Sequence, residues 1–501
     1  MSTASTAQQA TVEKAKTGIR GFDDVLDGGF VPNRMYLLEG VPGSGKTTLA
    51  LQFLIEGVRR GESVLYVTLS ETEIELRSVA ESHGWSLDGM AIRELVPGEE
   101  SLRPDDQYTV FHPSEIELSE TTKQILADVE RVRPKRVALD SLSELRLLAG
   151  NSLRYRRQIL AFKQFFTGRN CTILLLDDLT TADHDLQVQS IAHAVIRLEQ
   201  MNPDYGAERR RFSVLKYRGV SFRGGYHDYV IRRGGIEAYP RLIAGEHQRE
   251  FRAEKLASGI ASLDALIGGG VERGTSTLIL GAAGTGKSTL AAQFVAAAAA
   301  RGESAAMFVF DESVNTLLSR CESLGINLRQ MVADQRVFIQ QIDPAELSPG
   351  ALTHAIRGMV ERGISIVVID SLNGYLQAMP GERFLIIQLH ELLTYLGHSG
   401  VATLLVGAQS GLIGANMSSP VDASYLADSV ILMRYFEVKG EVRQAISVVK
   451  KRGGAHERTI REFSMRDGGV RVGSILRDFR GVLTGVPVYD SGNRETQEPL
   501  P

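Results

Sequence analysis

Two eight-residue stretches carry the most specific chemistry in this chain: Gly40-Val41-Pro42-Gly43-Ser44-Gly45-Lys46-Thr47 and Gly281-Ala282-Ala283-Gly284-Thr285-Gly286-Lys287-Ser288. Both fit G-x-x-x-x-G-K-[ST]. In that pattern glycines let backbone N–H groups close around phosphates, the lysine reaches the β- and γ-phosphates, and the last hydroxyl meets Mg²⁺. The expected ATP contacts are Gly40, Gly43, Ser44, Gly45, Lys46, Thr47 and Thr48 in the first copy. In the second they are Gly281, Gly284, Thr285, Gly286, Lys287, Ser288 and Thr289. Apolar runs before the loops, Met35-Tyr36-Leu37-Leu38 and Thr277-Leu278-Ile279-Leu280, read as strands. The apolar-periodic segments after them read as helices whose positive ends face the phosphates.

Phosphoryl transfer also needs carboxylates. The runs Arg136-Val137-Ala138-Leu139-Asp140-Ser141-Leu142 and Ile366-Val367-Val368-Ile369-Asp370-Ser371-Leu372 read as buried parallel strands delivering a carboxylate at their C-terminal ends. That is the side of an open α/β sheet where ligands bind. Asp140 and Asp370 are thus expected to hold Mg²⁺ with Thr47 and Ser288. Without the phosphate loops, an Asp so placed would read as a helix N-cap. Glu71 and Glu312 fall just past the next predicted strand and suit the group that orients or deprotonates the nucleophile, alongside the catalytic lysines Lys46 and Lys287. Asp311 precedes Glu312, and neighbours on an extended segment point to opposite faces, so the register between the halves favours Glu312. The alternative for each is an exposed carboxylate at a loop start. Lys216 with Arg218, and Lys450 with Arg452, are two residues apart on predicted strands and project from one face, which suits a polyphosphate. The plainer reading is a charged strand edge.

These residues recur because the chain repeats. With Lys46 set on Lys287, an offset of 241 holds without a gap over some seventy residues. Thr17-Gly18-Ile19 then meets Ser258-Gly259-Ile260, and Gly84 meets Gly325. A register of that length implies duplication of a whole domain. Further apolar runs at Leu65 to Leu69, Thr172 to Leu176, Met307 to Phe310 and Ala402 to Val406 alternate with helical segments. The expected fold class is α/β: two tandem P-loop domains, each a mostly parallel sheet with helices on both faces. The divisions are a tail at 1–11, a first domain at 12–244, a linker at 245–254, a second domain at 255–483 and a tail at 484–501.

With 43% apolar and 23% charged residues the chain has ample core, which excludes disorder for its bulk. The net charge of −4 supplies no overall basic field for nucleic acid. Arg209-Arg210-Arg211 beside Phe212 is the densest basic run and reads as a solvated hairpin in preference to a phosphate track. The single Trp85 and scattered tyrosines form no stacking platform. Cys171 and Cys321 lack metal-ligand spacing and read as buried thiols in a reducing compartment. No apolar stretch reaches a membrane span, and residues 1–10 lack the apolar core of a signal peptide, so a cytoplasmic protein is expected.

The doubled loops, the two strands ending in Asp-Ser, and the segments Lys216-Tyr217-Arg218-Gly219 and Lys450-Lys451-Arg452-Gly453 together resemble the KaiC family of RecA-like ATPases and autokinases. So does Arg452-Gly453-Gly454-Ala455-His456-Glu457-Arg458-Thr459-Ile460-Arg461-Glu462-Phe463. The resemblance runs from about Thr17 to Asp490. It implies a homohexameric double ring with ATP between subunits, Lys216, Arg218, Lys450 and Arg452 reaching in from the neighbouring protomer, a slow ATPase in the first ring and phosphate transfer in the second. It also implies clock or signalling partners. Where the family has paired glutamates this chain has Ser70-Glu71 and Asp311-Glu312; where it has Ser-Thr phosphoacceptors, this chain has Ser424-Tyr425. Ser424 is the expected acceptor, because the Tyr425 phenol stands several ångströms further from the backbone than a threonine hydroxyl. The short tail Ser491 to Pro501 argues against an activator of the KaiA type. Two other readings share the core: a DNA-dependent motor of the RecA type, and a nucleotide-gated scaffold without kinase activity.

Overall fold

The structure is a computed structural model and describes residues 13–95, 113–179, 186–203, 206–377, 384–409, 425–466, 469–483 and 488–489. The chain forms two compact units, Met1–Arg241 and Leu242–Pro501.

In the first unit the strands are β1 (Met35–Gly40), β2 (Val64–Thr68), β3 (Met90–Glu94), β4 (Arg136–Asp140), β5 (Thr172–Asp178), β6 (Ala194–Met201), β7 (Arg209–Tyr217), β8 (Tyr226–Arg232) and β9 (Gly235–Tyr239). They make one sheet in the order β3-β2-β4-β5-β1-β6-β7-β8-β9. The six strands from β3 to β6 pair in parallel, and β7 to β9 continue as antiparallel hairpins.

Alternate residues of the parallel strands enter two separate cores. Tyr36, Leu38, Tyr66, Ala138, Leu174 and Leu176 pack with the helix Lys46–Arg59 on one face. Leu37, Leu65, Val67, Val137, Leu139, Ile173 and Leu175 pack with the helices Pro113–Val132 and Ser152–Thr167 on the other. Both faces are therefore dry, and near-continuous apolar strands are what that requires.

The second unit adds a two-stranded ribbon of β10 (Lys255–Leu256) and β11 (Val271–Glu272). Its main sheet comprises β12 (Ser276–Gly281), β13 (Ser304–Val309), β14 (Val337–Gln341), β15 (Ile364–Asp370), β16 (Ala402–Ala408), β17 (Ser429–Val438), β18 (Glu441–Lys451), β19 (Arg461–Arg466) and β20 (Gly469–Ile475). The order β14-β13-β15-β16-β12-β17-β18-β19-β20 repeats the first sheet strand for strand. Two cores again divide along alternate residues, Ile279, Met307 and Val368 on one side and Leu278, Phe308 and Val367 on the other. The polar stretch 245–254 is tied to the second unit, Arg249 N donating to His398 O at 3.0 Å. No helix among the described residues is long and apolar enough to cross a membrane.

The units differ beneath the strand that carries the aspartate. Arg136, at the start of β4, is 1% exposed; it pairs with Glu62 and donates to Lys16 O at 2.6 Å and Phe53 O at 2.9 Å. Its guanidinium also lies 4.8 Å from the centre of the Phe53 ring. In the second unit Ile366 fills the equivalent place, fully buried, with nothing to satisfy. Truncating the buried partner of such a network strands the groups it served. Arg136→Ala should destabilise the first unit by roughly 3–5 kcal/mol, read from the midpoint of urea unfolding. A loss below about 1 kcal/mol would mean that the network carries little of the stability.

Candidate active sites

Both phosphate loops leave the carboxyl end of the central strand, β1 or β12, and turn straight into a helix. The turn is made by Gly45 and Gly286, the N-caps of the helices Lys46–Arg59 and Lys287–Ala300, at φ of 89° and 94°. Side chains with a Cβ are penalised there, so glycine is what allows the loop to curl and leave its N–H groups facing inward. One of the expected contact residues, Ser44, is fully buried with a hydroxyl that meets no partner among the described residues.

In the first unit the polar side chains converge on this loop. Lys46 Nζ donates to Gly40 O at 2.8 Å and lies 2.6 Å from Asp178 Oδ1. Thr47 Oγ1 donates to Asp140 Oδ2 at 3.0 Å, and the buried Tyr66 hydroxyl donates to the same oxygen at 2.6 Å. Burial raises the Asp140 carboxyl above its usual range, and these two hydrogen bonds oppose the rise. Under the loop, Glu39 is 2% exposed and held by Arg197 and Gln189, while Asp177 is held by Arg146.

Glu71 is fixed from both sides. Thr68 Oγ1 accepts from Glu71 N at 2.9 Å and donates to Glu71 O at 2.7 Å, and a capping box between Thr72 and Glu75 starts the next helix directly after it. Its Oε2 is buried and accepts no hydrogen bond among the described residues. Burial first, and the nearby Asp140 carboxylate second, push its carboxyl above the ordinary glutamate range. A carboxylate on a fixed backbone with an unused oxygen can accept a proton.

The second unit assembles the same parts with different neighbours. Lys287 Nζ donates to Ala282 O at 2.7 Å; Ala408 stands where the first unit has Asp178, so no such acid restrains it. Met307 replaces Tyr66, and Asp370 Oδ2 is buried without a hydrogen-bond partner among the described residues. Burial pushes the Asp370 carboxyl up to about 6, with the Glu312 and Asp311 charges adding and the Ser288 hydroxyl opposing. A cavity of about 280 Å³ opens beside Gly284, Lys287, Ser288, Thr289, Arg320 and Met465. Glu312, favoured over Asp311 by repeat register, is gripped by Arg320: Nη1 to Oε2 is 2.6 Å and Nη2 to Oε1 is 2.7 Å.

The donor sets fit Mg²⁺. Each site offers a hydroxyl and a carboxylate, hard oxygen ligands suited to an ion that keeps several waters and takes the rest from phosphates. The orphaned Asp370 oxygen gives such an ion a lone pair that no protein group uses.

Lys216 and Arg218 are placed away from their own loop. Lys216 pairs with Val195, level with Leu37, and Arg218 N bonds His193 O, whose own N bonds Met35 O. Arg218 therefore sits at the opposite end of β1 from Gly40, about 16 Å away for six strand residues. Both side chains donate to Ser190 O, at 3.4 Å and 2.7 Å, so they share one face. Arg452 is likewise level with the start of β12, through Asp428 and Ser276; Lys450 donates to Ala427 O at 2.8 Å, and Arg452 to Tyr425 O at 3.0 Å. Tyr425 is exposed; Ser424 lies outside the described residues.

The arginine run forms the start of β7. Arg210 pairs with Glu208, and Arg211 pairs with Glu199 while stacking over Tyr226. Of the groups that sequence reasoning missed, Asp178 was open to the argument used for Asp140, being the last residue of a buried parallel strand. Tyr66 and Arg320 show only as departures between the halves, where Met307 and Val79 stand instead.

A family model for the KaiC ATPase matches residues 15–243 and 256–477. The chain is 28% identical over 487 residues to the circadian clock protein KaiC3 of Synechocystis sp., covering 95% of each chain. It is 27% identical over 489 residues to the circadian clock oscillator protein KaiC of Synechococcus elongatus, covering 96% of this chain and 93% of that one. The family match spans both units and both phosphate loops: the chain belongs to the KaiC family of ATPases.

Proposed function

We propose that this chain is a Mg²⁺-dependent ATPase that hydrolyses ATP in its first domain and phosphorylates its own Ser424 through its second, in a timing or signalling role. The observation that carries the hydrolytic half is Glu71, its backbone fixed by Thr68, its carboxyl within electrostatic reach of Asp140 and Lys46, and one oxygen buried without a partner among the described residues. Water placed there gives its proton to Glu71 as its oxygen bonds to the γ-phosphorus and the bond from that phosphorus to the bridging oxygen breaks, its electron pair leaving on ADP. Lys46 leaves Asp178 to meet the phosphates, while Thr47 and Asp140 hold the cation that offsets their charge. Asp140 is itself kept in position by the Tyr66 hydroxyl.

Lys216, Arg218, Lys450 and Arg452 serve the site of a neighbouring copy in a homohexamer, a reading supported by the place of Arg218 and Arg452 at the far end of the central strands from their own loops. Ser424 as acceptor follows from the family's phosphoacceptor position. Clock or signalling proteins are the partners in keeping with the named relatives, whose printed names are those of circadian clock proteins. A DNA motor is less well supported, since two of the three clustered arginines are already paired with glutamates.

Three measurements test this. Glu71→Gln, in a chain whose second site is silenced by Lys287→Ala, should lower phosphate release about 10²–10⁴-fold with ATP still bound; an unchanged rate would remove Glu71 from the reaction. Incubation with Mg²⁺-ATP should add one phosphoryl mass to the Ser424 peptide, absent in Ser424→Ala and Lys287→Ala. No added mass, with phosphate still released to solution, would leave an ATPase without kinase activity. Finally, in the Lys287→Ala background, a chain carrying Lys216→Ala and Arg218→Ala should be inactive alone, as should one carrying Lys46→Ala. Mixing the two should restore hydrolysis if the pair works across subunits, and no recovery would confine it to its own chain.

A further inference from the structure

The two glutamates occupy equivalent places, yet their oxygens are in opposite conditions. Glu71 keeps one oxygen buried and, among the described residues, unpartnered; Glu312 has both oxygens bonded by a bidentate guanidinium at 2.6 Å and 2.7 Å. The difference arises from one position. Arg320 lies on the helix Val314–Ser323, and the offset of 241 sets it on Val79 of the helix Glu73–Ser82, an apolar residue that packs into the first unit's core. Arg320 is also part of the cavity beside Lys287 and Ser288, so its fork is made at the rim of the second nucleotide site.

We propose that Arg320 is a positioning residue that restrains Glu312, making the second domain the half that retains ATP and passes its phosphoryl on slowly. The inference rests on the reading that Glu71 and Glu312 are the carboxylates that serve the transferred group. In the step concerned, an oxygen of water or of a protein hydroxyl bonds to the γ-phosphorus, and the bond from that phosphorus to the bridging oxygen breaks with its electron pair leaving on ADP. The attacking oxygen's proton passes to the carboxylate. A carboxylate committed to two charge-assisted hydrogen bonds keeps two further lone pairs but loses the freedom to turn them toward the nucleophile. The first domain has no such grip and no side chain at Val79 able to make one.

The test uses the full chain with Lys46→Ala, so that only the second site turns over, and follows label from γ-labelled ATP into both free phosphate and protein. Arg320→Val, the first-domain residue type, should raise the summed rate about ten-fold with ATP affinity held within about two-fold. Arg320→Lys, a point charge that cannot fork, should fall between. In the reverse direction, Val79→Arg in a Lys287→Ala chain should slow first-site turnover about ten-fold without loss of ATP binding. An unchanged or lower rate in Arg320→Val with intact affinity overturns the restraint. A marked loss of ATP affinity also overturns it, since Arg320 would then be a nucleotide ligand. Adding Glu312→Gln to Arg320→Val separates the two readings. A return to the slow rate supports both, and a fast rate that survives means Glu312 is not the serving carboxylate, whatever Arg320 does.

Discussion

A parallel sheet sealed on both faces has only its strand ends left for polar chemistry, and each domain of this chain is arranged around that constraint. Alternate residues of β1, β2, β4 and β5 commit to one core or the other, so no side chain along their length is free to meet a ligand. Where the strands stop, the backbone opens and the carboxylates, the lysine and the hydroxyl gather. Buried carboxylates at these ends are costly in a medium that screens charge poorly, and each must be matched by donors or left to a bound cation. The donors used, or not used, are what distinguish the two domains.

The first domain matches the carboxylates at its strand ends internally. Glu39 has Arg197 and Gln189, Asp177 has Arg146, Asp178 has Lys46, and Asp140 has Thr47 and Tyr66. The second domain discards most of this: Leu280, Leu432, Gly407, Ala408 and Met307 stand at the corresponding positions. Both solutions preserve the same sheet order, because the apolar pattern that seals the faces is untouched by exchanges near the strand ends. Duplication supplied two copies of one scaffold, and divergence then worked on the polar contacts at its rim.

Much of the scaffold is legible in the residues themselves. Glycines with a following Lys-Thr or Lys-Ser fix the loops, continuous apolar runs fix the parallel strands, and the shared register fixes the repeat. What escapes such reading is the choice of partner. Tyr66 and Asp140 are 74 residues apart and meet because β2 and β4 are neighbours, an order that alternation along each strand does not encode. Lys46 and Asp178 meet because β1 lies beside β5. Arg320 and Glu312 are close in sequence, but eight residues is not a helical i,i+4 spacing, since Glu312 stands ahead of the helix that bears Arg320. The placement of Arg218 and Arg452 at the far end from their own loops likewise emerges only from their backbone hydrogen bonds to His193 and Asp428.

The shared oxygen of Asp140 and the orphaned oxygen of Asp370 set different terms for a cation that joins them. In the first domain the lysine rests on an aspartate, and the Asp140 carboxylate is hydrogen-bonded twice. In the second, the corresponding oxygen is sealed from solvent, and nothing among the described residues donates to it. A cation arriving at the first domain therefore shares that oxygen with two hydroxyls, whereas at the second it meets a lone pair that no described group contests.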